Sequence, residues 1–304
     1  MLAGCQTGPR RGPAVPVAPQ QLEVAVLVPL TGQDGEVGES IANAAKLALF
    51  DTNNQQIRLS IYNTEEGGAA AAAGRAIAEG NQLILGPLLS EQVRAVTPLA
   101  QRARVPVIAY SNDAEAAAPG VYILGFSPGQ AIERVVLHAR QQGATRFAAL
   151  VPTGTYGERS ARAFLGAVQR AGGQVAGVQT YGSLADGRSA ARRLGNRGAA
   201  DAVLIADAGR NAASIAPSVR VGPRLLGTEL WATDRALGST TRLRGSWYAA
   251  APEARFQQLV TRYRARYGKA PVRLASLGYD SMLLTVRAAR SWQPGRRFPL
   301  RALN

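Results

Sequence analysis

Residues 83–113 read LILGPLLSEQVRAVTPLAQRARVPVIAYSND. The run "QLILG" (82–86) is apolar and of strand length, "SEQVRAVTPLAQRAR" carries its apolar residues at helical spacing, and "VPVIAY" (105–110) returns to a strand-length apolar run. A strand, a helix and a second strand in that order form a β-α-β unit, whose two strands lie parallel with the helix packed across them. Ser90 stands where it caps the helix, and Pro98 is expected to bend it.

The same alternation extends in both directions. Upstream, "LEVAVLVPL" (22–30) reads as a buried strand, followed by a glycine-rich loop, "TGQDGEVGES". A helix comes next with Val37, Ile41, Ala44, Ala45, Ala48 and Leu49 on one face, then the strand "IRLSIYN" (57–63) and the alanine-rich helix "GGAAAAAGRAIAEG". Downstream, "VYILGF" (121–126) supplies a fifth strand, and the pattern starts again. The strands "RFAALVP" (146–152), "QVAGVQTY" (174–181), "DAVLIAD" (201–207) and "RLLGTEL" (224–230) alternate with helices "QAIERVVLHARQQG", "GERSARAFLGAVQRAGG", "SAARRLGNRG" and one near 211–219. Two successive arrays of this kind predict an α/β protein of two doubly wound parallel-sheet lobes, with the strand ends facing a common cleft. After "GSWYAAAP" (245–252), the helical segments "FQQLVTRYRARYG" and "LASLGYDSMLLTVRAARSW" are too few for a third domain and are expected to return to the first sheet.

Composition restricts the function. The formal net charge of +15 raises nucleic-acid binding, yet 33 of the 35 basic residues are arginine and they are scattered over separate elements such as "SAARRLGNR", "VRVGPR" and "TRYRARYGK". That distribution suits solvated helix faces, an anionic envelope surface or an acidic protein partner rather than a phosphate track, so no nucleic-acid partner is expected. One histidine, His138, and one cysteine, Cys5, are too few for the common zinc sets, and no metal or cofactor is expected. The glycines at 32, 35 and 38 are not spaced G-x-G-x-x-G, and no nucleophile elbow or Walker loop is present, so the chain is not expected to be an enzyme.

Binding chemistry is better represented. Ser90 follows Gly86-Pro87 and opens a helix, so its hydroxyl and the adjacent amides either grip a carboxylate or simply cap the helix. Tyr110-Ser111-Asn112-Asp113 leave the fourth strand at its C-terminal end, where open α/β sheets bind ligands, and a plain polar turn is the competing reading. Asp207 ends a strand on the same side.

The order of elements, the 83–113 stretch, "TYGERSARAFLGAVQRAGGQV" and "GTELW" together resemble the type I periplasmic binding protein family, in its leucine/isoleucine/valine-binding branch, and more closely its penicillin-binding-protein activator lipoproteins. The resemblance spans residues 22 to about 300 and lies in the succession of motifs. It implies a first lobe over 22–124 plus 250–304, a second over 125–249, and crossings near 124–129 and 248–252. A third crossing is implied beyond "FPLRALN". Carried over residue by residue, it makes Ser111 and Asn112 donors to a ligand carboxylate and Tyr156 an aromatic closing from the far lobe. It also sets Glu229 against a ligand ammonium group, a pairing that would suit a zwitterion. The competing reading of Glu229 is a merely exposed acid, and Trp231 is core or rim.

The N-terminus resembles a lipoprotein signal. Leu2-Ala3-Gly4-Cys5 fits the lipobox, and on this expectation the sequence as given opens just ahead of a mature start at a lipidated Cys5. The proline-rich residues 6–21 then form a tether able to reach about 50 Å in extended form. Gln6 lacks the aspartate associated with inner-membrane retention in enteric bacteria, which points to the periplasmic face of the outer membrane.

Two function classes follow. One is a regulatory interaction protein of the envelope that docks on a peptidoglycan synthase, a penicillin-binding protein. The other is the solute-binding subunit of an ABC transporter, closing on an amino acid or a related small molecule. A cleft with a full donor set and a partnering acid favours the second; a cleft filled by its own side chains favours the first.

Overall fold

A computed structural model describes residues 21–196, 200–233, 236–299 and 301, so Cys5 and most of the expected tether lie outside the described residues. The first sheet contains β1 (Leu22–Val28), β2 (Ile57–Asn63), β3 (Leu83–Leu85), β4 (Val107–Ala109) and β5 (Val121–Ile123), all parallel, in the order β2-β1-β3-β4-β5. The second contains β6 (Arg146–Pro152), β7 (Gln174–Tyr181), β8 (Ala202–Ile205), β9 (Arg224–Gly227) and β10 (Trp247–Tyr248), also parallel, in the order β10-β9-β8-β6-β7. Counted from its own first strand, each sheet has the order 2-1-3-4-5. The chain therefore builds one topology twice.

Period-2 alternation decides which helix covers which face. Val24, Val26 and Val28 of β1 pack with α1 (Gly35–Asp51) and α10 (Ala275–Ala289), while Ala25 and Leu27 face α2 (Gly68–Ala78) and α3 (Ser90–Ala103). In the second sheet Phe147, Ala149 and Val151 of β6 pack with α4 (Pro128–Gln141) and α5 (Thr155–Arg170). Ala148 and Leu150 face α6 (Leu184–Asn196) and α7 (Gly209–Ile215). Because both faces are covered, these strands are apolar almost throughout instead of alternating with polar residues. α9 (Glu253–Tyr267) sets Leu259 and Tyr263 against Ala44 and Leu47 of α1, so both late helices pack on the first lobe. A short helix α8 (Ala236–Ser239) lies before β10.

Gly38 and Gly157 hold matching places in the two halves, one turn into the helix after the first strand of each sheet. A Cβ at either would stand 1.6 Å from the carbonyl oxygen of the strand-end proline, Pro29 or Pro152. The last glycine of "TGQDGEVGES" thus serves helix–strand packing in which only hydrogen fits.

Several strands are shorter than their apolar runs. The run 105–110 is strand only over Val107–Ala109, because Tyr110 N turns to Pro87 O at 2.9 Å. The run 224–230 ends at Gly227, where Trp231 N bonds Thr228 O at 3.1 Å and residues Glu229–Thr233 coil into a 3-10 turn. Trp247–Tyr248, read only as connection, is the fifth strand of the second sheet. The N-cap of α3 is Leu89 in extended conformation, and Ser90 is the first helical residue with no capping bond, which corrects the capping expectation.

Candidate functional site

The two sheets present their C-terminal strand ends to a cavity of about 590 Å³. Its first-lobe wall is Asp34, Val37, Leu88, Leu89, Tyr110 and Asn112; its second-lobe wall is Glu229 and Leu230. Phe126 from the crossing between β5 and α4, Ala250 and Ala251 from that between β10 and α9, and Val272–Leu274 ahead of α10 complete it. The surface is mostly apolar, so each polar group in it carries much of the selectivity.

On the second-lobe side three residues converge. Tyr156, in the first turn of α5, donates its hydroxyl proton to Thr228 Oγ1 at 2.9 Å and Glu229 Oε1 at 3.1 Å, sharing one proton between two acceptors. Burial and the neighbouring carboxylate push the phenol's pKa far above its ordinary value. Glu229 also titrates above the usual carboxylate range, because desolvation outweighs the backbone amide and the Tyr156 hydroxyl that favour its anion. Its Oε2 is buried and has no hydrogen-bond partner among the described residues.

The first-lobe residues are turned elsewhere. The Tyr110 hydroxyl pairs with Ser281 Oγ of α10 at 2.9 Å, both groups buried, so only its ring serves the cavity. Ser111 is buried, and its Oγ accepts the Asp113 amide at 3.1 Å, bracing the loop. Asn112 is exposed and lines the cavity. Ser90 sits outside the lining, its hydroxyl 3.5 Å from Glu91 Oε2. Asp207 is also absent from the lining and accepts the Tyr181 hydroxyl at 2.6 Å and the Asn211 amide at 3.0 Å. Trp231 is 1% exposed and packed in the second lobe's interior, which makes it core rather than rim. Of the eight candidates, Tyr110, Asn112 and Glu229 meet at the cavity, and Tyr156 supports Glu229 from behind.

A further group was missed. Asp113 is fully buried, and its Oδ2 accepts Arg94 Nη2 of α3 at 2.7 Å and Arg159 Nη2 of α5 at 2.6 Å. Its Oδ1 accepts the Glu115 amide at 3.0 Å. One carboxylate thus bridges an arginine from each lobe, and the exposed pair Glu115–Arg162 at 3.1 Å repeats the contact one turn along α5. The spacing was available in the sequence: acids at 113 and 115 face arginines at 159 and 162, three apart on one helix. Arg273, also missed, lines the cavity with a guanidinium already held by Glu253 and the Ala251 carbonyl.

Among the described residues no cluster of three metal-ligating side chains occurs, and no helix is long and apolar enough to cross a membrane. The single histidine, His138, is exposed and stands edge-on to Trp247 at 4.6 Å between ring centres.

A sequence-family model described as periplasmic binding protein matches residues 21–297. Penicillin-binding protein activator LpoA of Photobacterium profundum is 26% identical over 164 residues, covering 53% of this chain and 27% of that protein. An uncharacterized protein, RP748 of Rickettsia prowazekii, is 27% identical over 140 residues, covering 46% of this chain and 38% of that protein. The chain therefore spans well under half the length of these relatives. A crystal structure of a putative branched-chain amino acid ABC transporter from Rhodospirillum rubrum superposes with a TM-score of 0.77 at 18% identity, covering 91% of this chain and 86% of that one.

Proposed function

The chain belongs to the periplasmic binding protein family, and from that premise we propose that it is a lipid-anchored interaction protein of the cell envelope that activates a penicillin-binding protein. The observation that carries this reading is the Asp113 bridge. In a solute receptor the ligand supplies the contacts that draw two lobes together; here the protein's own buried carboxylate joins Arg94 to Arg159. The donors that would meet a ligand carboxylate point the same way, since Ser111 is used inside its own loop and Tyr110 inside the first lobe. On this reading the two lobes, 22–124 plus 250–304 and 125–249, act as one surface, carried on a tether from a lipidated Cys5 at the periplasmic face of the outer membrane.

The test is glycan-strand synthesis by a purified peptidoglycan synthase with and without this protein. Stimulation that saturates with added protein supports the activator. Absence of stimulation, together with a Tm rise of several degrees on adding an amino acid, would overturn it; a ligand at about 1,000 times its Kd adds about 4 kcal/mol. Mass spectrometry of the Cys5→Ser variant against the unaltered chain checks the anchor.

A second reading keeps a specific observation in its favour. The unpartnered Oε2 of Glu229 on an apolar cavity of about 590 Å³ is the kind of group that takes a ligand's ammonium, and it supports a solute-binding subunit for amino acids or related amines. Loss of any ligand-induced Tm shift in Glu229→Ala would assign the cavity to that use.

A further inference from the structure

The far end of the second sheet, where β8, β9 and β10 begin, holds a second concentration of chemistry. Arg224, Arg242 and Arg244 line one cavity of about 580 Å³, with Trp247 and the loop 221–223. The carboxylate in this lining, Asp201, is already engaged: its Oδ2 accepts the Thr145 amide at 2.8 Å, the Thr145 hydroxyl at 2.9 Å and the Arg146 amide at 2.8 Å. These bonds hold it below the usual carboxylate range as a fixed part of the strand edge.

The three arginines are positioned by neutral acceptors. Arg242 Nη2 donates to the carbonyls of Arg220 at 3.0 Å and Pro223 at 3.1 Å, and its buried Nε has no partner among the described residues. Arg224 Nη1 donates to Gly245 O at 2.5 Å, with its guanidinium stacked over the Trp247 ring at 4.6 Å. Arg244 is exposed and takes part in no ion pair among the described residues. Carbonyls and a ring face orient a guanidinium without cancelling its charge, so three cations meet one carboxylate, Asp201, in this lining and leave the cavity net positive among the described residues. Desolvation lowers the pKa of Arg242.

Beside this cavity, across the shared loop 221–223, lies a second of about 450 Å³ whose apolar part is Leu194, Val203 and Val219 and which also includes Arg220 and the shared Asp201. Val221, on the ridge between them, is 84% exposed. A net-positive pocket next to one that offers apolar side chains, separated by an exposed valine, matches a chain that carries both carboxylates and apolar side chains.

We infer that this end of the second lobe is a docking site for an acidic, partly apolar peptide segment of a partner protein, with its carboxylates on Arg224, Arg242 and Arg244 and an apolar side chain in the Leu194–Val219 pocket. The site is remote from the cleft and stands whichever occupant the cleft has.

The test is fluorescence anisotropy of a labelled peptide of alternating glutamate and leucine, titrated with the full chain, beside a lysine–leucine peptide of equal length. Arg242→Ala removes two bonds to the loop and risks the fold, so Arg244→Glu, at an exposed side chain, is the principal variant. Arg287→Glu, the same charge change at an exposed side chain of α10 in the first lobe, is the control. The expected result is binding of the acidic peptide alone, weakened at least tenfold by Arg244→Glu and less than twofold by Arg287→Glu. Equal weakening by both variants would reduce the effect to net charge and overturn the site. Displacement of the peptide by equimolar inorganic phosphate would assign the pocket to a free anion. Tighter binding to phosphatidylglycerol vesicles than to the peptide would assign it to a membrane surface, and either result overturns the peptide proposal.

Discussion

The two walls of the cleft come from sheets with the same strand order, yet they use their polar residues in opposite ways. The first-lobe wall spends them on itself: Tyr110 on Ser281, Ser111 on the Asp113 amide, and Asp113 on arginines of both lobes. The second-lobe wall gathers Tyr156, Thr228 and Glu229 and leaves one buried carboxylate oxygen without a partner among the described residues. Topology delivers residues to the cleft edge on both sides, but it does not decide whether they face the cavity or brace the loop. That choice rests on what each hydroxyl or carboxylate finds within hydrogen-bond distance.

The comparison breaks most visibly at Trp231, whose Nε1 is buried without a partner and whose ring fills the interior behind Glu229. Trp231→Ala is expected to cost about 4 kcal/mol in urea unfolding, the range for emptying a large aromatic site. A cost under about 1 kcal/mol would return Trp231 to the cleft rim and give the second wall a stacking platform. The next effect is at Asp113. Asp113→Ala strips the counter-charge from Arg159, itself only 18% exposed, and is expected to cost about 3 kcal/mol and to raise the radius of gyration in small-angle scattering as the lobes part. Asp113→Leu combined with Arg159→Met should recover much of that stability, because the pair's gain is offset by its desolvation. Unchanged scattering in both variants would show that the lobes stay together without the bridge.

How far the sequence reveals this arrangement depends on the kind of signal. The two-lobed α/β architecture was legible because strands covered on both faces, such as "LEVAVLV" and "RFAALVP", leave unbroken apolar runs between amphipathic helices. Strand ends were less legible, since Tyr110 and Glu229 leave their sheets through single backbone bonds to Pro87 and within a 3-10 turn. Side-chain partners across large separations were the least legible. Ser281 lies 171 residues from Tyr110, and nothing local to "AYSND" announces that its hydroxyl is taken. The Asp113 bridge was readable in principle from its charge spacing, but only once strand order had put α5 beside the fourth strand's loop.

The smaller effects lie in the second wall itself. Tyr156→Phe removes the donor shared by Thr228 and Glu229 and is expected to cost about 1 kcal/mol, read as a drop in the urea midpoint at neutral pH. Glu229→Gln is expected to change stability by less than about 1 kcal/mol, with a sign that is diagnostic. Because burial raises the folded-state pKa of Glu229, the wild-type chain holds its full contribution from this group below the usual carboxylate range and loses it as pH rises through the raised value. Glutamine has no proton to lose, so the variant should equal the wild type near pH 4 and exceed it at pH 8. A variant less stable at pH 8 would mean that the anion is already compensated and that the second wall, like the first, has spent its polar group. If the expected sign holds, a bound ammonium would supply the missing charge, so the same residue would report on any amine that enters the cleft.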